Sequence, residues 1–145
     1  MSAAAVQAAP SVARSVAERW LTPLRLAQAR TAAGVSMIAA PARSAAVMGV
    51  GRPAARGSTW TVQMLGAREV ALGGGAWIAL RRGDGRAARL WLAAGLLADA
   101  VDALAVAGAV GRGKVRPAVG VPLIAVATTA VAIQTAALAS DDDPA

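Results

Sequence analysis

The stretch AVGVPLIAVATTAVAIQTAALA, residues 118–139, decides the fold. It contains no charged residue, follows the helix-opening Pro117, and stops just before Asp141, Asp142 and Asp143. About 20 consecutive apolar residues are enough for an α-helix to cross the hydrocarbon core of a bilayer, whereas a surface helix in water needs a polar face that this run lacks. The run reads as a transmembrane helix. The three aspartates then form a solvated tail that keeps the C-terminus out of the lipid.

Working outward, Gly111, Arg112, Gly113 and Lys114 separate this helix from a second apolar segment, residues 87–110. A third, residues 60–80, is joined to it by the charged turn Arg81, Arg82, Gly83, Asp84, Gly85 and Arg86. The weakest span is 24–40, opened by Pro23 and closed by Pro41. Its Arg25 and Arg30 must lie near one end, with their stems snorkelling toward headgroups. Pro41 to Val50 continues along the interface, and Gly51, Arg52, Pro53 and Gly57 mark a loop. Further upstream, Val12, Val16 and Trp20 recur at helical spacing, with Arg14, Ser15, Glu18 and Arg19 on the other faces. That pattern fits an amphipathic helix lying on the membrane, or a short disordered leader with helical spacing. Met1 to Pro10 lacks the basic start and apolar core of a cleavable signal peptide.

The expected architecture is therefore all-α: a four-helix transmembrane bundle over residues 23–139, with spans at about 24–40, 60–80, 87–110 and 118–139. A tail with a short amphipathic interfacial helix (1–22) precedes it, and an acidic tail (140–145) follows.

Composition agrees. The chain has 145 residues, 57% of them hydrophobic but only 3% aromatic, with no Phe or Tyr. A soluble core would lack the large side chains that usually dominate burial. Mean hydropathy is +0.52 and the pI about 11.7. A net charge of +7 would suggest nucleic acid in a soluble protein, but the arginines sit between apolar segments with no aromatic platform, which suits lipid headgroups instead. No nucleic-acid partner is expected; the partners are the lipid bilayer and either another membrane protein or a second copy. The absence of Cys and His removes disulfides, thiol chemistry, zinc sites and a Ser-His-Asp triad. No metal and no cofactor is expected. Trp20, Trp60, Trp77 and Trp91 are read as interface anchors, and the slight excess of arginine in the N-terminal segment and the 81–89 turn places both termini in the cytoplasm.

The informative residues are Arg68 and Glu69 in the second span and Asp99 and Asp102 in the third. Each costs at least about 2.5 kcal/mol near the bilayer centre if unpaired, so they must satisfy one another. In an antiparallel hairpin turning at positions 83 and 84, Arg68 and Asp99 lie at equal depth, with Asp102 one turn deeper on the same face. Arg68 is expected to take both aspartates as partners. Glu69 points about 100° away, toward Gly66 and Gly73, where a neighbouring helix can approach closely. It has no evident partner; Arg30, Thr128, Thr129 and Gln134 are the candidates.

Two readings of the cluster stand side by side. It is a structural clasp fixing helix register, or Glu69 or Asp102 takes up and releases a proton or binds a cationic or polar ligand. Gly73, Gly74 and Gly75 have no Walker lysine or dinucleotide fingerprint beside them, so close packing or a kink explains them better than phosphate binding.

The segment Leu65-Gly66-Ala67-Arg68-Glu69-Val70-Ala71-Leu72-Gly73, the Arg-rich turn, and Ala98-Asp99-Ala100-Val101-Asp102-Ala103-Leu104 resemble small four-helix bacterial membrane proteins of a domain-of-unknown-function family, similar to DoxX-like proteins. The resemblance covers residues 24–139 and implies fold and location, with no activity to carry over. Small multidrug transporters also have four helices, but this chain lacks their acidic residue in the first helix and their aromatic-rich pocket. The function expected is a non-enzymatic accessory, assembly or structural subunit; the alternative is a small proton-coupled carrier or channel. No nucleophile accompanies the carboxylates, so an enzyme ranks behind both.

Overall fold

The computed structural model describes residues 22–49, 57 and 59–140, and among them every regular element is an α-helix. These are α1 (Pro23–Ala39), α2 (Pro41–Val47), α3 (Thr59–Arg82), α4 (Gly85–Gly111) and α5 (Pro117–Ala139). The expected N-terminal interfacial helix, with Trp20, and the aspartates from Asp141 onward lie outside the described residues.

Local chemistry sets the helix ends. Thr22 caps α1, its hydroxyl accepting from the Arg25 N–H at 3.2 Å, and Pro23 takes the first helical position, where an N–H is not needed. Ala40 breaks the helix and Pro41 restarts it as the short α2, whose Ala45 is fully buried beside Val62 of α3. Arg81 and Arg82, read from sequence as turn residues, form the last turn of α3 instead. Cations there oppose the partial negative charge of the helix C-terminus. The turn shrinks to Gly83 and Asp84: Gly83 adopts φ 68°, a left-handed conformation that glycine takes without strain, and the Asp84 carboxylate accepts from Ala87 N–H at 2.9 Å to start α4.

The four long helices alternate in direction. Gly34 of α1 meets Gly66 of α3, and Ala27 meets Gly73, so these two run antiparallel. Gly75 of α3 lies under the Trp91 ring of α4, and Arg89 of α4 donates to the Leu138 carbonyl of α5 at 3.0 Å. Thr22, the 83–84 turn and Ser140 therefore share one end of the bundle, the turn end. The short α2 and the 112–116 connection share the other.

Packing is uneven. Helices α1 and α3 form one close pair and α4 and α5 another; α3 also meets α4, but α1 barely touches α5. The α1–α3 contact is a backbone approach: a Cβ on Gly34 would stand 2.6 Å from the Gly66 carbonyl oxygen, and one on Gly73 would stand 2.7 Å from that of Ala27. Small residues seven apart on both helices make this possible.

The outer surface at mid-height is apolar. Leu90, Leu97 and Leu104 recur every seven residues along α4 and are 67%, 66% and 74% exposed. Met64 and Ile78, fourteen residues apart on α3, are also exposed. Helices α4 and α5 are long and apolar enough to cross a membrane, and only 17% and 11% of their apolar stretches are buried inside the bundle. The core helix of a soluble protein hides its apolar surface; these display it.

Candidate functional site

Charge is on the inside. Arg30 of α1, Arg68 and Glu69 of α3, and Asp99 and Asp102 of α4 meet at mid-height, and Gln134 of α5 completes the group. The Arg30 guanidinium bridges two carboxylates: Nη1 donates to Asp99 Oδ2 at 2.6 Å and Nη2 to Glu69 Oε1 at 3.1 Å. Its Nε is 2.9 Å from Glu69 Oε2 but is not aligned for a hydrogen bond, so that contact is Coulombic only. Arg68 makes a two-pronged pair with Asp102, at 2.5 and 3.3 Å, and also donates to Glu69 Oε1 at 3.0 Å. Gln134 Nε2 donates to Asp99 Oδ2 at 2.6 Å and to the Ala130 carbonyl at 3.0 Å.

This wiring corrects the pairing drawn from the hairpin. Arg68 takes Asp102 and Glu69, while Asp99 goes to Arg30 and Gln134. Three residues along a helix rotate a side chain by about 300°, so Asp99 and Asp102 diverge by about 60° and serve different neighbours. Asp102 faces α3, and Asp99 faces α1 and α5. Glu69 has two arginines: the long Arg68 side chain reaches its immediate chain neighbour, and α1 brings Arg30, one of the four candidates named from the sequence, opposite it. Arg30, expected to snorkel toward the helix end, is 9% exposed and central.

Thr128 and Thr129 stay out of the cluster. Their hydroxyls donate to carbonyls one turn back, of Ile124 and Ala125, at 2.8 Å each. Trp77 and Trp91 both belong to the turn end, while Trp60 opens α3 at the opposite end and is 63% exposed. Gly74 faces open space, but Gly73 and Gly75 touch α1 and α4 respectively, so close packing on two sides accounts for the glycine run.

Sequence reasoning missed Gly34 and Gly95. Gly34 opposes Gly66, and Gly95 lies directly under the Gln134 amide and 3.2 Å, measured to a built Cβ, from Arg30 Nη1. A side chain at position 95 would collide with the Gln134 amide oxygen, so the side chain that holds Asp99 would have to shift. The signal was available: Ala27 with Gly34 and Gly66 with Gly73 repeat the same seven-residue interval.

A cavity of about 490 Å³ adjoins the cluster on the side away from the turn end. Arg68, Glu69, Asp99 and Asp102 form its floor, and its walls are apolar, from Met37, Leu65, Val106 and Leu123 among others. Arg68 and Asp102 are the accessible members, with side chains 36% and 41% exposed; Glu69 is 13% exposed. On the turn-end side, only about 10 Å³ remains between Leu92, Gly95, Trp91 and Gln134. The cluster is open on one side and sealed on the other. Among the described residues no group of His, Cys, Asp or Glu is placed to hold a metal ion.

The family model described as Domain of unknown function (DUF4267) matches residues 27–136, three-quarters of the chain including every residue of this cluster, and the chain belongs to that family. No curated protein and no solved structure matches it.

Proposed function

We propose, starting from a family membership that brings no activity with it, that the chain is a multi-pass protein of the cell membrane, non-enzymatic, serving as an accessory or assembly subunit. Its four long helices cross the bilayer with both termini in the cytoplasm, and the charged cluster is the clasp that sets its shape. Support comes from the inversion of the usual pattern, with apolar residues exposed around the waist and five charged side chains at its centre. Water rewards the opposite arrangement. The observation that carries the clasp is Asp99, which joins α1 through Arg30 and α5 through Gln134. Those two helices barely touch each other directly. The clasp thus connects the α1–α3 pair to the α4–α5 pair.

Membrane location is tested by carbonate extraction, in which the protein stays with the pellet. The clasp is tested by Asp99→Asn in detergent, expected to lower stability by roughly 1 kcal/mol, within the range of polar pairs between membrane helices; unchanged stability argues against it. The accessory role predicts a protein that copurifies stoichiometrically from native membranes, and repeated isolation of the chain alone counts against it.

A second reading, a small proton-coupled carrier or channel, is favoured by the cavity that reaches Glu69 and Asp102. A carrier needs a carboxylate with one-sided access that can alternate. Reconstituted liposomes with a trapped pH dye are expected to show voltage-driven proton flux that Glu69→Gln or Asp102→Asn abolishes. Flux equal to that of empty liposomes rejects this reading.

A further inference from the structure

The cluster is unbalanced. With all groups ionised it contains two guanidinium cations and three carboxylates, and its hydrogen bonds show the same surplus. Glu69 Oε1 accepts from both arginines, and Asp99 Oδ2 accepts from Arg30 and Gln134. Asp99 Oδ1 accepts nothing from the described residues, and Asp102 Oδ1 receives only the longer Arg68 bond, at 3.3 Å. Both aspartates line the cavity, so acceptor capacity and one negative charge are left over where the floor meets open space. What is missing there is a cation with N–H donors.

The walls restrict which cation. Alanine, leucine, valine and methionine side chains surround the cavity beyond its charged floor, and about 490 Å³ lies in the range that holds a small organic molecule. A hydrated inorganic ion would meet apolar walls that replace none of its water. An amine with a hydrophobic body satisfies both parts. Access is available from the side, because α1 and α5 diverge. A groove of about 710 Å³ between them, lined by Gln28, Ala32 and Ile133, shares Leu26, Ala29, Val126 and Ala130 with the inner cavity.

We infer that this cavity is a binding site for a lipophilic ammonium ion, which arrives between α1 and α5 and donates its N–H groups to Asp99 and Asp102 while its apolar body fills the walls. The inference rests on the reading of these carboxylates as a ligand site, but it requires binding only, not proton flux. Because the anionic partner is a hydrogen-bond acceptor in an apolar setting, the site distinguishes an ammonium from an uncharged group of equal size.

The test uses the full chain in phosphatidylcholine nanodiscs, titrated calorimetrically with 1-naphthylmethylamine, 1-naphthylmethanol and 1-naphthoate after subtraction of binding to empty nanodiscs. The amine is expected to bind one equivalent at least tenfold more tightly than the alcohol, and the carboxylate not at all. Asp102→Asn is expected to remove that preference. Ala127→Trp fills the cavity without touching a charge and is expected to abolish amine binding while the protein stays folded; Leu123→Phe is the milder replacement if it does not. Equal affinity for amine and alcohol, or binding that survives the filled cavity, overturns the inference. Proton flux in the same preparation separates the two ideas: flux without amine binding leaves the carrier reading standing and rejects this one, while binding without flux does the reverse.

Discussion

The two halves of the bundle on either side of the charged cluster both contain many small residues and behave differently. Toward the turn end, glycines face large groups: Gly75 receives the Trp91 ring and Gly95 the Gln134 amide, and almost no space is left. Toward α2, small side chains such as Ala29, Ala33, Ala105 and Ala127 surround about 490 Å³ of open volume. A small residue brings helices together only when the opposite surface can move into the gap. Where small faces small, the outcome depends on the helices: α1 and α3 close up at Gly34 and Gly66, whereas around the cavity the helices stay apart and leave a hollow. Tightness is therefore a property of pairs, and composition does not reveal it.

Four changes break or sharpen that contrast. The largest effect is expected from Gly34→Leu, because backbone lies on the other side: the Gly66 carbonyl and the Val70 amide stand 2.6 and 2.7 Å from a Cβ at that position. Overpacking against backbone costs about 3 kcal/mol or more, and no monodisperse protein should elute on gel filtration. Next comes Arg30→Met, which leaves Asp99 and Glu69 short of a buried cation. Removing one partner of a buried ion pair costs about 3–5 kcal/mol, to be read from the melting temperature in detergent. A loss below about 1 kcal/mol would show that water reaches this arginine and that the seal on the turn-end side is incomplete.

Asp102→Asn should cost less, about 0.6 kcal/mol, since Arg68 keeps Glu69 and its own exposure lets solvent compensate. Finding it as costly as Arg30→Met would mean that the cavity side is as dry as the sealed side. The smallest effect belongs to Ala105→Val, which adds volume to the hollow. Stability should be unchanged or slightly raised, in contrast with Gly34→Leu. A loss above about 1 kcal/mol, measured in the same melts, would show that the cavity is closed in the folded protein.

The all-α fold was legible because it depends on near neighbours. Apolar runs, Pro23 and Pro117 at helix starts, Pro41 at a helix stop, and Gly83 with Asp84 at a turn act over a few residues, although Pro41 also opens the short α2. Even there, Arg81 and Arg82 were misplaced, since charged residues suit both a turn and the last turn of a helix. The cluster was legible as a set of residue types, because buried charge has to be compensated. Its wiring was not. Counting outward from the turn assumes straight, parallel helices, and it assigned Asp99 to Arg68; Arg30 of α1 was named as one of four candidates for Glu69, and nothing along the chain gave it to Asp99 as well.

By itself, then, the sequence determined that the chain is helical, that α4 and α5 are apolar enough for a membrane, and that Arg68, Glu69, Asp99 and Asp102 need partners. Only the tertiary structure decided which partners they take, that Gln134 joins them while Thr128 and Thr129 do not, and that one side of the cluster is hollow. The reason is physical. Helix formation and solvent preference are properties of segments, whereas pairing and voids depend on how helices distant in sequence rotate and approach, which no single segment specifies.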